Sequence, residues 1–159
     1  MTRIELGANT KGVIGESLVL GNRSPPDRIV DELFEFLAGL HTVGDDPNPM
    51  ARARQDVYFN ATDEDGEKMV WKADGRITIE WSSPAVQREA EFPRHDVEAV
   101  FPVDVKTGAH ATLERNQREV ARAIAATPNN VYPTVIGVSI DDLPEAFDAD
   151  VKIFGRDFD

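Results

Sequence analysis

The chain has 159 residues, no cysteine, 41% hydrophobic residues and a formal net charge of −12. This length suits one compact domain with a core of its own, and the lack of cysteine excludes disulfides and thiolate metal sites. There is no apolar run of about eighteen residues, so we expect no membrane-spanning helix and no membrane partner. The start of the chain lacks the apolar segment of a secretory signal, which favours a cytoplasmic location.

The acidity is the unusual property of the composition. Only five of the 17 basic residues are Lys, against 29 Asp and Glu. A surface dense in carboxylates stays hydrated in concentrated salt, where charge repulsion is screened. The composition therefore predicts a protein of a halophilic organism or its virus, with an acidic mesophilic protein as the alternative. In molar salt the long-range repulsion from nucleic acid is screened, so the charge does not exclude a nucleic-acid partner.

The N-terminal part predicts an amphipathic helix after an irregular segment. Residues 1–23 are rich in Gly, and residues 12–20 fit a short strand or a helical turn equally well. The run Ser24-Pro25-Pro26-Asp27 predicts a helix start with Ser24 as its cap. Apolar residues then recur at helical spacing as far as residues 39–41, opposite an acidic face.

The middle of the chain predicts an antiparallel meander. A first strand is expected at residues 56–61, after a proline-containing loop. Asp63-Glu64-Asp65-Gly66 predicts a turn and not a calcium loop, because the Glu that closes a calcium loop is missing. Strand patterns at 68–72 and 76–82 flank Ala73-Asp74-Gly75, which is typical of a hairpin turn.

The remaining sequence predicts a third meander strand, a second helix and a last strand. The expected segments are a polar loop at 83–96, a strand at 97–106, a helix at 109–126, a strand at 132–140 and an acidic tail at 141–159, with an edge strand around Val151 and Ile153. The order helix, three strands, helix, strand predicts one α+β (mixed α/β) domain whose core spans 24–140. Sequential strands should pair antiparallel, and the second helix should cross over to the last strand.

The strand at 97–106 ends in the candidate site. Its apolar run closes with Val103-Asp104-Val105-Lys106, and Thr107-Gly108 and the predicted helix follow. Side chains two apart in a strand point the same way, so Asp104 and Lys106 share a face. Metal-dependent phosphodiester chemistry can use a carboxylate beside an ammonium, but an exposed strand end can also carry such a pair as an ordinary ion pair. Pro102 lacks a backbone donor and fits an edge or bulged strand at least as well as a central one.

This arrangement resembles the core of the PD-(D/E)xK nuclease superfamily over about residues 56–140. The text Val100-Phe101-Pro102-Val103-Asp104-Val105-Lys106-Thr107-Gly108 is similar to the apolar-Pro-apolar-(Asp/Glu)-Val-Lys-(Ser/Thr)-Gly run of several branches. The resemblance implies a Mg²⁺ ion held by Asp104 and a carboxylate of the second strand. It implies that Lys106 orients the nucleophile or neutralises developing charge. Asp74 is the first choice for the second ligand, although Ala73 stands where the motif has Pro.

Further candidates follow from the same resemblance. Glu80 is the second choice for the partner of Asp104, whereas Asp96 lies too close to the third strand. The Glu that the family often carries in its first helix corresponds to Glu16 or Glu32. Gln117 is similar to a Gln that some branches carry in the second helix.

Other residues offer weaker signals. Arg52 and Arg54, expected in a loop, are candidate phosphate contacts. The three histidines, one of which is His110 beside the motif, are too dispersed for a zinc site. Trp71 and Trp81 fit a core better than a base-stacking surface.

The element order also resembles the ring-forming tail-terminator and tail-completion proteins of tailed viruses. That resemblance implies a virion protein without catalytic residues that self-associates in a ring and contacts neighbouring virion proteins. The leading hypothesis is a Mg²⁺-dependent nuclease acting on nucleic acid, and the ring protein is the alternative.

Overall fold

The protein folds into a five-stranded mixed sheet with helices on both faces. The computed structural model describes residues 8–89, 94–107, 115–126, 130–139 and 148–158. Its elements are α1 (Ala8–Leu20), α2 (Asp27–Leu40), β1 (Met50–Thr62), β2 (Lys68–Trp81), α3 (Pro84–Arg88), β3 (Val97–Thr107), α4 (Arg115–Ala125), β4 (Thr134–Ser139) and β5 (Asp148–Ile153). None of the described helices is both long and apolar enough to cross a membrane.

The sheet has the strand order β1-β2-β3-β4-β5. The first three strands form an antiparallel meander, β4 runs parallel to β3, and β5 returns antiparallel at the edge. Parallel neighbours need a crossover connection, and α4 lies in that connection. The predicted α+β class, the meander, the crossover and the edge strand with Val151 and Ile153 are confirmed.

Two hydrophobic clusters cover the two faces of the sheet. The first cluster contains the buried residues of α1 and α2, including Ile29 and Leu33. The second contains the buried residues of α4, including Val120. Val135 belongs to the second cluster and Ile136 to the first. Neighbouring strand residues point to opposite faces, so the two clusters lie on opposite sides of the sheet.

Strand β2 changes sides halfway along its length. Ile77 packs in the first cluster and Ala73 in the second, although regular alternation would place both on one face. The change falls at Asp74 and Gly75. Opposite them, Asp56 of β1 adopts a positive φ of 54° between paired neighbours. The outer half of the β1–β2 hairpin therefore bends away from the sheet and packs on α4.

This bend corrects the predicted hairpin turn at Ala73-Asp74-Gly75. The strand is continuous there, and the turn between β1 and β2 is the predicted Asp63–Gly66 segment. The Asp63 side chain fixes that turn by accepting hydrogen bonds from the N–H groups of Asp65 and Glu67 at 2.9 and 2.8 Å. The Asp-Gly pair at 74–75 serves a change of strand direction instead of a reversal of the chain.

Other differences concern boundaries. The segment that fitted a strand or a turn is the long helix α1. Ser24 does not cap the next helix, which begins after Pro26 without a side-chain cap. β1 begins at Met50, so Arg52 and Arg54 lie on a strand and not in a loop. The predicted polar loop at 83–96 contains α3, while residues 109–114 of the predicted helix, with His110, lie outside the described residues.

Pro102 lies in a central strand, which decides between the central placement and the edge or bulged placement that the sequence left open. Beside it, Val100 exchanges backbone hydrogen bonds of 2.9 Å with Asn130 and Tyr132, and the ladder resumes at Val103. Continued pairing would direct a donor at position 102 to the Tyr132 carbonyl. That carbonyl instead accepts a hydrogen bond from the Thr134 hydroxyl at 2.8 Å. The proline is tolerated because another group satisfies this acceptor.

Candidate active site

The candidate site is a notch where β2 and β3 separate. The ladder between these strands ends at the pair Gly75–Val103. One step further, the Val105 N–H donates a 2.7 Å hydrogen bond to Oδ2 of Asp74. The Asp74 side chain thus takes the place of a backbone acceptor for the Val105 N–H, because the β2 backbone has already turned toward α4. Continuation of the register places Asp74 opposite Asp104, so the divergence of the strands brings these two carboxyl groups together.

The two carboxyl groups interact strongly. Asp74 and Asp104 lie within hydrogen-bonding range of each other, and Asp104 is buried. Burial and the neighbouring Asp74 raise the pKa of Asp104 to about 6. Burial also raises the pKa of Asp74, against the lowering effect of its hydrogen bonds with Asp104 and the Val105 N–H. Two adjacent buried carboxylates cannot both ionise cheaply, so the pair retains a proton to higher pH than isolated aspartates do.

Lys106 supplies the cation of the site. Its Nζ atom lies 2.9 Å from Oδ2 of Asp104, and its side chain is 30% exposed. Oδ2 of Asp104 is fully buried and accepts no well-oriented hydrogen bond from the described residues. The contact with Lys106 is therefore an ion pair. The predicted same-face placement of Asp104 and Lys106 agrees with this ion pair.

Helix α1 adds a third carboxylate. Gly15 allows α1 to lie against the end of β3, since a Cβ atom at this position would come within 2.8 Å of Thr107 Cγ2. The next residue, Glu16, is half-buried and close enough to raise the pKa of Asp74 by charge repulsion and hydrogen bonding. Of the two sequence candidates for a helix carboxylate, the structure brings Glu16 to the notch.

The other candidate carboxylates are engaged elsewhere. Glu80 forms a 2.5 Å ion pair with Arg52. Glu32 pairs with Arg156 near the C-terminus, at 2.9 Å. Asp96 accepts hydrogen bonds from the backbone and side chain of Ser83 at 2.7 and 2.6 Å, which lower its pKa. Each has a structural partner outside the notch.

The donor set of the notch fits a divalent cation. Asp74 and Asp104 present hard oxygen ligands side by side, and the buried Oδ2 of Asp104 lacks a well-oriented donor. A shared proton holds such a pair together until a cation displaces it. Within the described part of the chain, no three His, Cys, Asp or Glu side chains form a complete ligand group. The notch therefore offers two carboxylate ligands for a cation, Asp74 and Asp104, and Glu16 lies at its margin.

Arginines lie on the same face of the sheet. Arg54 pairs with Arg76 across β1 and β2, and Arg76 pairs with Pro102 across β2 and β3. Pro102 and Asp104 are two apart on β3, so these side chains share one face. The sequence analysis missed Arg76, because only the register between strands places it beside the motif. Gln117 lies half-buried on α4, and its contact with substrate stays a prediction.

The tryptophans belong to the cores, as predicted. Trp81 is fully buried in the first cluster, next to Phe34. Trp71 is buried in the second cluster, where it contacts Phe59 with ring centres 6.3 Å apart. Neither indole is available for stacking on a base.

Comparison with known proteins gives one match. The family model described as a PD-(D/E)XK nuclease superfamily domain matches residues 9–154, from α1 to the end of β5. No curated protein and no solved structure matches the chain significantly. The matched region contains every residue of the notch.

Proposed function

The chain belongs to the PD-(D/E)XK nuclease superfamily, and we propose that it hydrolyses nucleic-acid phosphodiesters at the notch with a bound divalent cation. The observation that carries the proposal is the convergence of Asp74, Asp104 and Lys106 where β2 and β3 separate. This trio combines hard oxygen ligands with a cation in one partly enclosed place. Ion pairs that only stabilise a surface do not need a second, half-buried carboxylate beside them.

Asp74 and Asp104 would hold the cation, and Mg²⁺ is the ion whose preferences agree with carboxylate ligands. When bound, the ion polarises a phosphoryl oxygen and lowers the pKa of a coordinated water. Protonation of the pair competes with binding of the ion, which makes ion binding depend on pH. The Val105 N–H fixes the orientation of the Asp74 carboxylate through the 2.7 Å hydrogen bond.

Lys106 would act on the reacting phosphate. Its ammonium is anchored by Asp104 and still partly exposed, so it reaches the space in front of the carboxylates. A fixed positive charge there stabilises the negative charge that develops in the transition state. Glu16, at the margin of the notch on α1, would accept a proton from the attacking water.

The finer points of the proposal rest on composition. The scarcity of Lys and the net charge of −12 support a halophilic source, and they set the assay conditions at high salt. We also propose a cytoplasmic location, or a virion location under the ring-protein alternative. No specific contact in the described residues favours the ring-protein alternative.

The test is a cleavage assay in molar KCl. Plasmid DNA and a transcribed RNA are incubated with the protein in Mg²⁺, in Mn²⁺ or in EDTA, alongside the Lys106→Ala variant. We expect cleavage that requires the metal and is lost in the variant. Equal activity of the native protein and the variant, or no activity of either with any metal, would contradict the proposal.

A further inference from the structure

Two arginines face each other across β1 and β2, and neither has an acidic partner among the described residues. Arg54 and Arg76 are directly paired in the antiparallel register. Like charges in such a position are destabilising. Arg52, two residues away on β1, is neutralised by Glu80. Among the described residues, no ion pair involves either Arg54 or Arg76.

The pair lies beside the notch and on its side of the sheet. The neighbouring residues Ala53 and Ile77 pack in the first cluster, so the arginine side chains point to the opposite face. Arg76 is paired with Pro102 of β3. Asp104 is two residues further along β3 and points to the same face as Pro102, so Arg76 and Asp104 are diagonal neighbours. Diagonal neighbours of this kind are separated by about 7–8 Å. Arg54 is exposed and Arg76 half-buried, so both are accessible from solvent.

Close backbone packing fixes this arrangement. Gly75 lies between Asp74 and Arg76, and a Cβ atom there would collide with the Arg54 carbonyl and come within 2.7 Å of Leu20 Cδ1. Leu20 ends α1, the helix that also carries Glu16. The backbones of β1 and β2 and the Leu20 side chain of α1 therefore meet at one point, and the arginine pair has a fixed position relative to the carboxylates.

We propose that Arg54 and Arg76 form a clamp for a backbone phosphate of the nucleic-acid strand, adjacent to the phosphate that reacts at the notch. The inference rests on the proposed function and identifies how the substrate is held. A phosphate between two guanidinium groups accepts hydrogen bonds from both and removes their repulsion. On a chain with a net charge of −12, two opposed cations without acidic partners fit an anionic ligand. The strand is the anion that must pass this position to reach Asp104.

The clamp is tested by binding, independently of cleavage. Arg54→Gln, Arg76→Gln and the double variant are made in a Lys106→Ala background. Their affinity for a short fluorescein-labelled DNA, single-stranded and duplex, is measured by anisotropy in EDTA over a range of KCl concentrations. Arg28→Gln is the control of equal charge, because Arg28 lies on α2, over the other face, and pairs with Asp148.

Each clamp substitution should weaken binding by about three- to tenfold and should lower the slope of log K against log salt by less than about 0.7–0.9, because the other guanidinium still contacts the phosphate. The double variant should lose the full slope of one phosphate, about 0.7–0.9, and Arg28→Gln should change neither quantity. Arg→Lys at either position keeps the charge and should keep most of the slope. Thermal unfolding supplies the second readout, because loss of one opposed charge should leave the melting temperature unchanged or higher, whereas a structural role would lower it.

The outcomes separate this inference from the proposed function. Clamp variants that bind like the Arg28→Gln control, or a Lys106→Ala protein that binds no DNA, would overturn the clamp. Weakened binding in the clamp variants supports the clamp even where the native protein cleaves nothing, in which case the nuclease proposal fails alone. Metal-dependent cleavage by the native protein with unaltered binding in the variants leaves the nuclease proposal intact and removes the clamp.

Discussion

The chain contains the tripeptide Asp-Val-Lys twice, on two different strands. Asp104-Val105-Lys106 lies on the central strand β3, and Asp150-Val151-Lys152 lies on the edge strand β5. In both, the valine is buried in the first cluster. The central ion pair joins atoms 2.9 Å apart with Asp104 6% exposed, whereas the edge pair is 3.9 Å apart with Asp150 73% exposed. The same three residues therefore form an ion pair with a buried carboxylate in one place and an exposed ion pair in the other.

The difference comes from the neighbouring strands. β3 has β2 on one side, and β2 delivers Asp74 at the point where the two separate. β5 is paired only with β4, so Asp150 has no strand on its outer side. A second carboxylate and burial, both supplied by the fold, make the central tripeptide a metal-site candidate.

The largest expected effect concerns the two lysines. Lys106→Ala should lower the cleavage rate by about two to three orders of magnitude, because it removes a charge aimed at the developing oxyanion. Lys152→Ala should leave the rate unchanged, since its ion pair is exposed. Initial rates on plasmid DNA in Mg²⁺ measure both. An equal loss of cleavage rate in the two variants would mean that the rate depends on the net charge of the protein and not on the position of Lys106.

The next effect concerns stability without metal. The folded-state pKa of Asp104, about 6, is above the ordinary aspartate value of 3.8. Its ionised form therefore costs folding free energy, a cost that grows from about pH 4 and is complete above about pH 6. Asp104→Asn should raise the free energy of unfolding at pH 8 in EDTA by on the order of 2 kcal/mol, while abolishing cleavage. Urea unfolding measures this change.

The control variant for that experiment is Asp150→Asn. Its free energy of unfolding should stay within about 0.5 kcal/mol of that of the native protein. The stability gain of Asp104→Asn should also shrink as the pH falls from 6 to 4, because the native carboxyl becomes protonated in the folded state. A destabilised Asp104→Asn protein at pH 8 would show that the ion pair with Lys106 outweighs the cost of burial.

A smaller effect is expected where α1 meets β3. Gly15→Ala places a methyl group 2.8 Å from Thr107 Cγ2 and should lower the unfolding free energy by about 1–2 kcal/mol. It should also slow cleavage, because Glu16 moves with the helix. Gly39→Ala on α2 is the control, since nothing lies within 4 Å of the added group; thermal unfolding that ranks the two variants equally would contradict the close contact.

The smallest effect belongs to the edge tripeptide. Replacing Asp150 and Lys152 together by Ala should change stability by less than about 0.5 kcal/mol, as for exposed ion pairs. The matching double variant replaces Asp104 and Lys106 by Ala. A larger loss of unfolding free energy in the Asp150 and Lys152 variant than in this one, in the same urea titrations, would contradict the contrast between the two tripeptides.

Regular periodicity carried most of the successful predictions from sequence. The apolar stripe of α2 and the alternation of β3 correspond to buried faces. The choice of Asp74 as the second carboxylate came from the family resemblance, and its role as a metal ligand stays a prediction. α1 was missed because its contacts depend on Gly15 and on close packing, without an amphipathic pattern. Asp74-Gly75 resembled a turn because the same residues that reverse a chain also permit a sharp change of strand direction. Arg76 depended on the register between strands, which no local pattern encodes.

The hydrogen bond from the Val105 amide to Asp74 has a practical consequence for spectroscopy. An amide proton held by a carboxylate resonates at a frequency that depends on the charge of that carboxylate. A single peak in an amide NMR spectrum of the protein would therefore report protonation and cation binding at the notch. Such a titration needs neither substrate nor turnover, and it could be followed in molar salt.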